Sequence, residues 1–64
     1  MKLIYDKDAD AVVVRFADSK IVESDKVSQG LIVDYDADGR IVSIEMLDAG
    51  RRLAPQALAD IKAA

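Results

Sequence analysis

At 64 residues, with no cysteine and no histidine, the chain has room for one domain and lacks disulfides and the usual transition-metal ligands. It also lacks a thiol nucleophile and an imidazole base, so the sequence predicts neither an enzyme nor a cofactor or metal site. The formal net charge of −3 argues against nucleic-acid binding, and the absence of a long apolar run predicts no membrane segment and a cytoplasmic location.

Three strands are predicted in the first half of the chain from β-branched residues and period-2 alternation. The first is Lys2–Asp6, and a polar turn separates it from the second, Ala11–Phe16. Because the second strand is apolar on both sides over its first half, we expect it near the centre of the sheet. The third strand, Ile21–Val27, is short and charged, which is typical of an edge strand that avoids pairing with other chains.

Leu31–Tyr35 and Arg40–Leu47 form the clearest predicted hairpin. Its loop has either three residues, Ala37–Gly39, or four, Asp36–Gly39. The four-residue loop gathers the apolar side chains on one uninterrupted face. A slip of one residue would turn every side chain to the other face, so we favour this register. We expect Gly39 to close the loop with a positive φ.

The same register assigns a mixed set of side chains to the second face of the hairpin. Tyr35 pairs with Arg40, and that face carries Ile32, Asp34, Ile41, Ser43 and Glu45. The run Asp34–Gly39 followed by Glu45 also fits the spacing of an EF-hand calcium loop. Because the flanking segments are β-forming, we interpret the run as a hairpin turn whose aspartates cap backbone N–H groups. Glu45 then lies too far along its strand from Asp38 to share an ion with the turn.

Two further groups of charged side chains are open to a functional interpretation. Candidate acid–base residues are Asp6, Asp8, Asp10 and Glu45. Carboxylates at solvated turns, however, have no environment that separates their pKa values. A candidate anionic docking site consists of Arg51, Arg52 and Lys62, although a lysine in the last helical turn also complements the helix dipole. We interpret both groups as solvated, and no catalytic residue is predicted.

The last segment of the chain changes to a helical pattern. Pro55 suits the first turn of a helix, and Ala57, Leu58 and Ile61 supply a narrow apolar stripe over a predicted helix at about 55–63. The sequence therefore predicts a single α+β domain over residues 1–64. It combines a four- to five-stranded antiparallel β-meander over residues 2–47 with a C-terminal α-helix packed on one face.

Self-association is predicted from the apolar surface that one short helix leaves uncovered. Such a helix covers one face of the sheet, while the other face and the third strand still carry aliphatic side chains. The candidate interface is either the sheet face that holds Ile32 and Ile41 or the edge strand near Ile21. Since each exposed isoleucine forgoes roughly 1.5–3 kcal/mol of burial, we expect a homodimer.

Five stretches with specific spacing follow a shared pattern: Tyr5–Val12, Glu23-Ser24, Gly30–Asp36, Gly39–Val42 and Ile44–Ala49. Together they resemble a small bacterial and archaeal family called domain of unknown function 2283, over roughly residues 1–53. Ser43 and Gly50 depart from the pattern, where many relatives have glycine and serine. The resemblance implies a compact β-rich domain and supplies no activity. Because some relatives look like the smaller partner of a two-gene unit that encodes a toxin, it also implies an antitoxin-like role.

The function expected from the sequence is a non-catalytic interaction domain that self-associates and binds a small protein partner. The alternative, from a different class, is a small-molecule or ion-binding domain that uses the acidic turns. A concave site lined by buried carboxylates would favour the alternative. An exposed apolar patch or an open strand edge would favour the interaction domain.

Overall fold

The computed structural model describes residues 1–63, so Ala64, the last residue of the predicted domain, lies outside the described residues. The described chain forms one five-stranded antiparallel sheet and two helices, which confirms the predicted α+β class. The elements are β1 Lys2–Asp6, β2 Ala11–Arg15, β3 Glu23–Ser28, β4 Leu31–Tyr35, β5 Ile41–Met46, α1 Ala49–Arg52 and α2 Pro55–Ala63.

The strand order across the sheet is β1-β2-β5-β4-β3, with every neighbouring pair antiparallel. A continuous meander would pair β2 with β3, and this part of the prediction is wrong. After β2 the chain instead passes to the far edge of the sheet, where it forms β3. Strand β5 takes the central position beside β2. The register explains the preference, because it places Val12 opposite Met46 and Val14 opposite Ile44. The charged β3 has no such apolar row to offer β2.

The two edges of the sheet are β1 and β3. The prediction of a charged third edge strand is confirmed, although the strand begins at Glu23 and Ile21 lies in the crossing segment before it. All residues of β3 are exposed, and its register with β4 shifts between Lys26 and Ser28. Bulges and charges of this kind twist and protect an edge strand against further pairing.

The turn between β4 and β5 has three residues, not the expected four. Asp36 donates its backbone N–H to the Arg40 carbonyl at 2.9 Å, and Gly39 donates its own to the Asp36 carbonyl at 3.0 Å. Gly39 has the expected positive φ of 77°. A register shift next to the turn pairs Tyr35 with Ile41, not with Arg40. The extra residue in β5 restores the predicted apolar face, so a tight turn and the hydrophobic pattern are both satisfied.

The two faces of the sheet carry different side chains, and helix α2 contacts one of them. The helix face carries Leu3, Tyr5, Val12, Val14, Leu31, Val33, Ile44 and Met46, which the cross-strand pairs align. Helix α2 contacts β1 on this face, where the Lys62 ammonium lies 5.4 Å from the centroid of the Tyr5 ring. The opposite face, here the carboxylate face, carries Ile4, Val13, Arg15, Ser24, Ile32, Asp34, Ser43 and Glu45.

The predicted helix at about 55–63 is confirmed as α2, whereas α1 was not predicted. Helix α1 follows Asp48, whose φ is 56°, and is held by long-range contacts. The backbone N–H of Gly50 donates to both carboxylate oxygens of Asp10, at 3.0 and 3.1 Å, and the Arg52 guanidinium donates to the Gln29 carbonyl. Since these partners lie 23 or more positions away along the chain, no local pattern predicts this turn of helix. Neither α1 nor α2 is long and apolar enough to cross a bilayer.

Candidate functional site

A polar row crosses the carboxylate face over four adjacent strands. The cross-strand pairs place Arg15 of β2 beside Ser43 of β5, Ser43 beside Asp34 of β4, and Asp34 beside Ser24 of β3. The row is formed because all four residues occupy strand positions that point to the same side of the sheet. One carboxylate therefore lies between two hydroxyl groups, each supplied by a neighbouring strand.

Asp34 lies at the centre of this row and is only 1% exposed. Its two carboxylate oxygens accept hydrogen bonds from Ser24 Oγ at 2.6 Å and from Ser43 Oγ at 2.5 Å. Ser43 is also 1% exposed. A buried carboxylate is tolerated when charge-assisted hydrogen bonds replace its hydration. Across residues 1–63, every buried side-chain nitrogen or oxygen has a hydrogen-bond partner.

Glu45 adds a second carboxyl group to the site. It pairs with Ile32 in the next row of the face, within hydrogen-bonding reach of Asp34. The hydrogen bond to Asp34, desolvation and the negative charge of Asp34 together raise the pKa of the Glu45 carboxyl. Burial alone would raise the pKa of Asp34, but hydrogen bonds from Ser24, Ser43 and Glu45, with the charge of Arg15, outweigh it and lower that pKa. The raised pKa favours the protonated form of Glu45, whose carboxyl O–H is able to hydrogen-bond to ionised Asp34.

This arrangement is suited to holding strands together and poorly suited to catalysis. A carboxylate with a lowered pKa is a weak base, so Asp34 does not activate the serine hydroxyls that it binds. Two shallow depressions, of about 420 and 350 Å³, lie on the surface. Ser24 and Tyr35 help to line the first and Arg15 helps to line the second, but Asp34 and Glu45 line neither.

Asp36 caps backbone N–H groups at the hairpin turn, as the sequence predicts, and Asp6 does the same at the first turn, whereas Asp34 of the predicted turn run is buried in β4. The Asp6 carboxylate accepts the N–H groups of Asp8 and Ala9, and the Asp36 carboxylate accepts those of Asp38 and Arg40. Within the described residues, no three or more carboxylates are grouped as a metal site would require.

Sequence reasoning placed Asp34, Ser43 and Glu45 on one face but treated the acids as solvated, and it missed Ser24. The predicted separation of Glu45 from the turn was counted along the strand from Asp38. The hairpin instead brings Glu45 beside Asp34 on the neighbouring strand. One available signal was an aspartate within the otherwise apolar strand LIVDY. Such an acid needs partners on the adjacent strands if its strand is internal.

Ile32 and Ile41, which the sequence assigns to one candidate interface, lie on different faces of the sheet. Ile32 lies on the carboxylate face opposite Glu45 and is half-buried. Ile41 is 50% exposed and pairs with Tyr35, which points away from the carboxylate face because it follows Asp34 directly in the strand. Ile21 is half-buried in the crossing segment. The shifted register at the hairpin thus separates Ile32 from Ile41.

The three basic side chains of the candidate anionic docking site do not point to one common position. Arg51 forms an exposed ion pair with Asp48 at 3.3 Å. Arg52 donates to the Gln29 carbonyl, and Lys62 lies over the Tyr5 ring. Each cation therefore has a different local partner on or beside the helices.

Comparison with known proteins adds the family. A family model described as "Protein of unknown function (DUF2283)" matches residues 2–49, which include all five strands and the carboxyl groups of Asp34 and Glu45. The chain belongs to this family. The match confirms the resemblance in the sequence and leaves α2 outside the matched segment. No curated protein and no solved structure matches the chain.

Proposed function

We propose that this member of the family is a non-catalytic interaction domain that self-associates as a homodimer. The supporting observation is the contrast between a small core and a large exposed apolar surface. Among residues 1–63, the buried apolar residues are Val12, Val33, Val42 and Ala49. Large apolar side chains that are 41–54% exposed are Leu3, Ile4, Phe16, Val22, Val27, Ile41 and Leu47.

Burial of these exposed side chains would contribute free energy that a single subunit does not obtain. Burial of each aliphatic or aromatic side chain contributes roughly 1.5–3 kcal/mol, a large part of the 5–15 kcal/mol typical of a whole domain. The two strand edges also present backbone N–H and C=O groups that a partner strand satisfies. A second copy supplies both kinds of contact, and two-fold symmetry uses each surface twice.

The chemistry of the carboxylate face supports a non-catalytic role. Ser43 and Asp34 are buried, and the lowered pKa of Asp34 makes it a poor base. The ion-binding alternative receives no such support, because Asp6, Asp10 and Asp36 already accept backbone N–H groups. We therefore favour an interaction domain over a ligand-binding one.

The proposal also includes binding to a small protein partner and an antitoxin-like role in the cytoplasm. Their support is the family resemblance, since some relatives look like the smaller partner of a two-gene unit that encodes a toxin.

Light scattering from micromolar to millimolar protein tests self-association. We expect a mass about twice the 7.0 kDa of the chain and a melting temperature that rises with protein concentration, because association stabilises only the folded state. A folded monomer of constant melting temperature over the whole range would overturn the proposal.

A further inference from the structure

The two edge strands are not equivalent as surfaces for pairing. In β3 the ladder is interrupted beside Val27, and every residue is exposed. In β1 all five residues pair with β2 in one unbroken register, from Lys2 opposite Arg15 to Asp6 opposite Ala11. A regular edge presents outward backbone N–H and C=O groups at every second residue without interruption and is therefore the better template for another strand.

The sequence of β1 is complementary to a second copy of itself in antiparallel orientation. Antiparallel pairing of Lys2–Asp6 with a second copy of itself, centred on Ile4, places Lys2 opposite Asp6 of the second copy. The same pairing places Leu3 opposite Tyr5 of the second copy, and Ile4 opposite its own equivalent. Opposite charges and aromatic–aliphatic contacts across strands each contribute roughly 0.2–1 kcal/mol, and two-fold symmetry repeats the first two contacts.

We propose that β1 pairs antiparallel with β1 of a second copy about a two-fold axis at Ile4, joining two five-stranded sheets into one ten-stranded sheet. This inference rests on the proposed self-association and names its surface. The pairing covers Leu3 and Ile4, which are 41% and 42% exposed in the single chain. On the carboxylate face it extends the row of Ile32, Glu45, Val13 and Ile4 into the same row of the second copy.

The proposed pairing uses the backbone of β1, whereas the observed contact of Lys62 uses the Tyr5 ring. Helix α2 contacts β1, and its Lys62 lies over the face of the sheet above the Tyr5 ring. The backbone groups of an edge strand point outward in the plane of the sheet, at right angles to that contact. In the proposed pairing, a second copy of β1 approaches in the plane of the sheet, at right angles to the contact between Lys62 and Tyr5.

A single introduced cysteine tests the register, since the chain has no cysteine of its own. Residues opposite each other in an antiparallel pair have Cα atoms about 4.5–5.5 Å apart, within the range of about 4.4–6.8 Å that a disulfide spans. We expect Ile4→Cys to form a covalent dimer under mild oxidation. Leu3→Cys, which faces Tyr5 of the second copy, and Val27→Cys on the opposite edge should cross-link far more slowly.

A charge at the proposed axis tests the same surface without cross-linking. Ile4→Lys brings two like charges together in the dimer, whereas Val27→Lys adds the same charge to a side chain of similar exposure on β3. We expect Ile4→Lys to raise the dimer dissociation constant by at least about tenfold, which corresponds to about 1.4 kcal/mol. Val27→Lys should leave it nearly unchanged. Circular dichroism verifies that both variants remain folded.

The outcomes separate this inference from the proposed function. A wild-type dimer in which Ile4→Cys cross-links no faster than Val27→Cys would overturn the β1 interface and leave self-association standing. The same holds for a dimer that Ile4→Lys does not weaken. A wild-type chain that stays monomeric would overturn both proposals. If the Ile4→Lys variant does not fold, the cross-linking comparison alone decides the interface.

Discussion

The helix face and the carboxylate face bury their central residues by different physical means. On the helix side, Val12 and Val42 are 3% and 1% exposed and contribute through non-directional apolar contact. On the carboxylate face, Asp34 and Ser43 are each 1% exposed and are joined by a hydrogen bond of 2.5 Å. The first kind of burial tolerates small changes of shape, whereas the second requires that every polar group keep its partner.

The difference also affects what each face specifies. Apolar rows would pack in more than one strand order, because one aliphatic side chain can replace another. The carboxylate of Asp34 needs one hydroxyl from β3 and one from β5, so it favours the observed strand order over alternatives. We therefore expect removal of the carboxylate to cost more stability than removal of an equally buried aliphatic group.

Asp34→Ala should have the largest effect, a loss of about 3 kcal/mol in the free energy of unfolding. It leaves the hydroxyl of the buried Ser43 without its acceptor and opens a cavity between three strands. Urea denaturation followed by circular dichroism measures the loss. The control is Asp38→Ala at the exposed turn, which should change stability by less than about 0.5 kcal/mol. Equal small effects from both variants would show that the polar row does not hold the sheet together.

Val42→Ala should follow, with a loss of about 2 kcal/mol from lost burial and the cavity left behind. Ile41→Ala removes a larger side chain from the neighbouring position, but that side chain is 50% exposed and should contribute less than Val42. The same denaturation experiment compares them. A loss for Val42→Ala that exceeds the loss for Asp34→Ala would reverse the comparison of the two faces.

The two serines provide a matched pair for a smaller effect. Both donate to Asp34, but Ser43 is buried in the central strand and Ser24 is exposed on the edge strand. We expect Ser43→Ala to lower the free energy of unfolding by about 1.5 kcal/mol and Ser24→Ala by about 0.5 kcal/mol, because water replaces only the exposed donor. Equal losses would show that burial does not distinguish the two hydrogen bonds.

Glu45→Gln should have the smallest effect and the opposite sign, a gain of about 0.5–1 kcal/mol at neutral pH. The amide donates to Asp34 without the repulsion between two carboxylates. Because the folded state raises the pKa of Glu45, the wild type loses stability as the pH rises above the ordinary glutamate value of about 4.3. The lowered pKa of Asp34 acts in the other direction, and its contribution is lost as the pH falls below about 3.9.

Denaturation of the wild type and of Glu45→Gln at a series of pH values measures this linkage. The advantage of the variant should grow as the pH rises from about 4 towards neutrality, since only the wild type loses a shared proton. A constant difference between the two chains over that range would show that Glu45 and Asp34 do not share a proton in the folded state.

Local sequence determined most of the elements. Period-2 alternation located all five strands to within two residues at either end, and Pro55 with the alanines located α2. The prediction of the turn at Gly39 was right about its φ and wrong about the loop length. An aliphatic alternation is satisfied equally by a four-residue loop or by a three-residue loop with a bulge, so the hydrophobic pattern could not separate the two.

The sequence by itself thus determined the strands, the C-terminal helix and the charged edge, because short-range periodicity and turn chemistry encode them. Only the tertiary structure decided the pairing of β2 with β5, the burial of Asp34 between Ser24 and Ser43, and the docking of α1 on Asp10. These features join residues far apart in the chain. Their free energy depends on which groups the closed sheet withdraws from water together, and no local pattern contains that information.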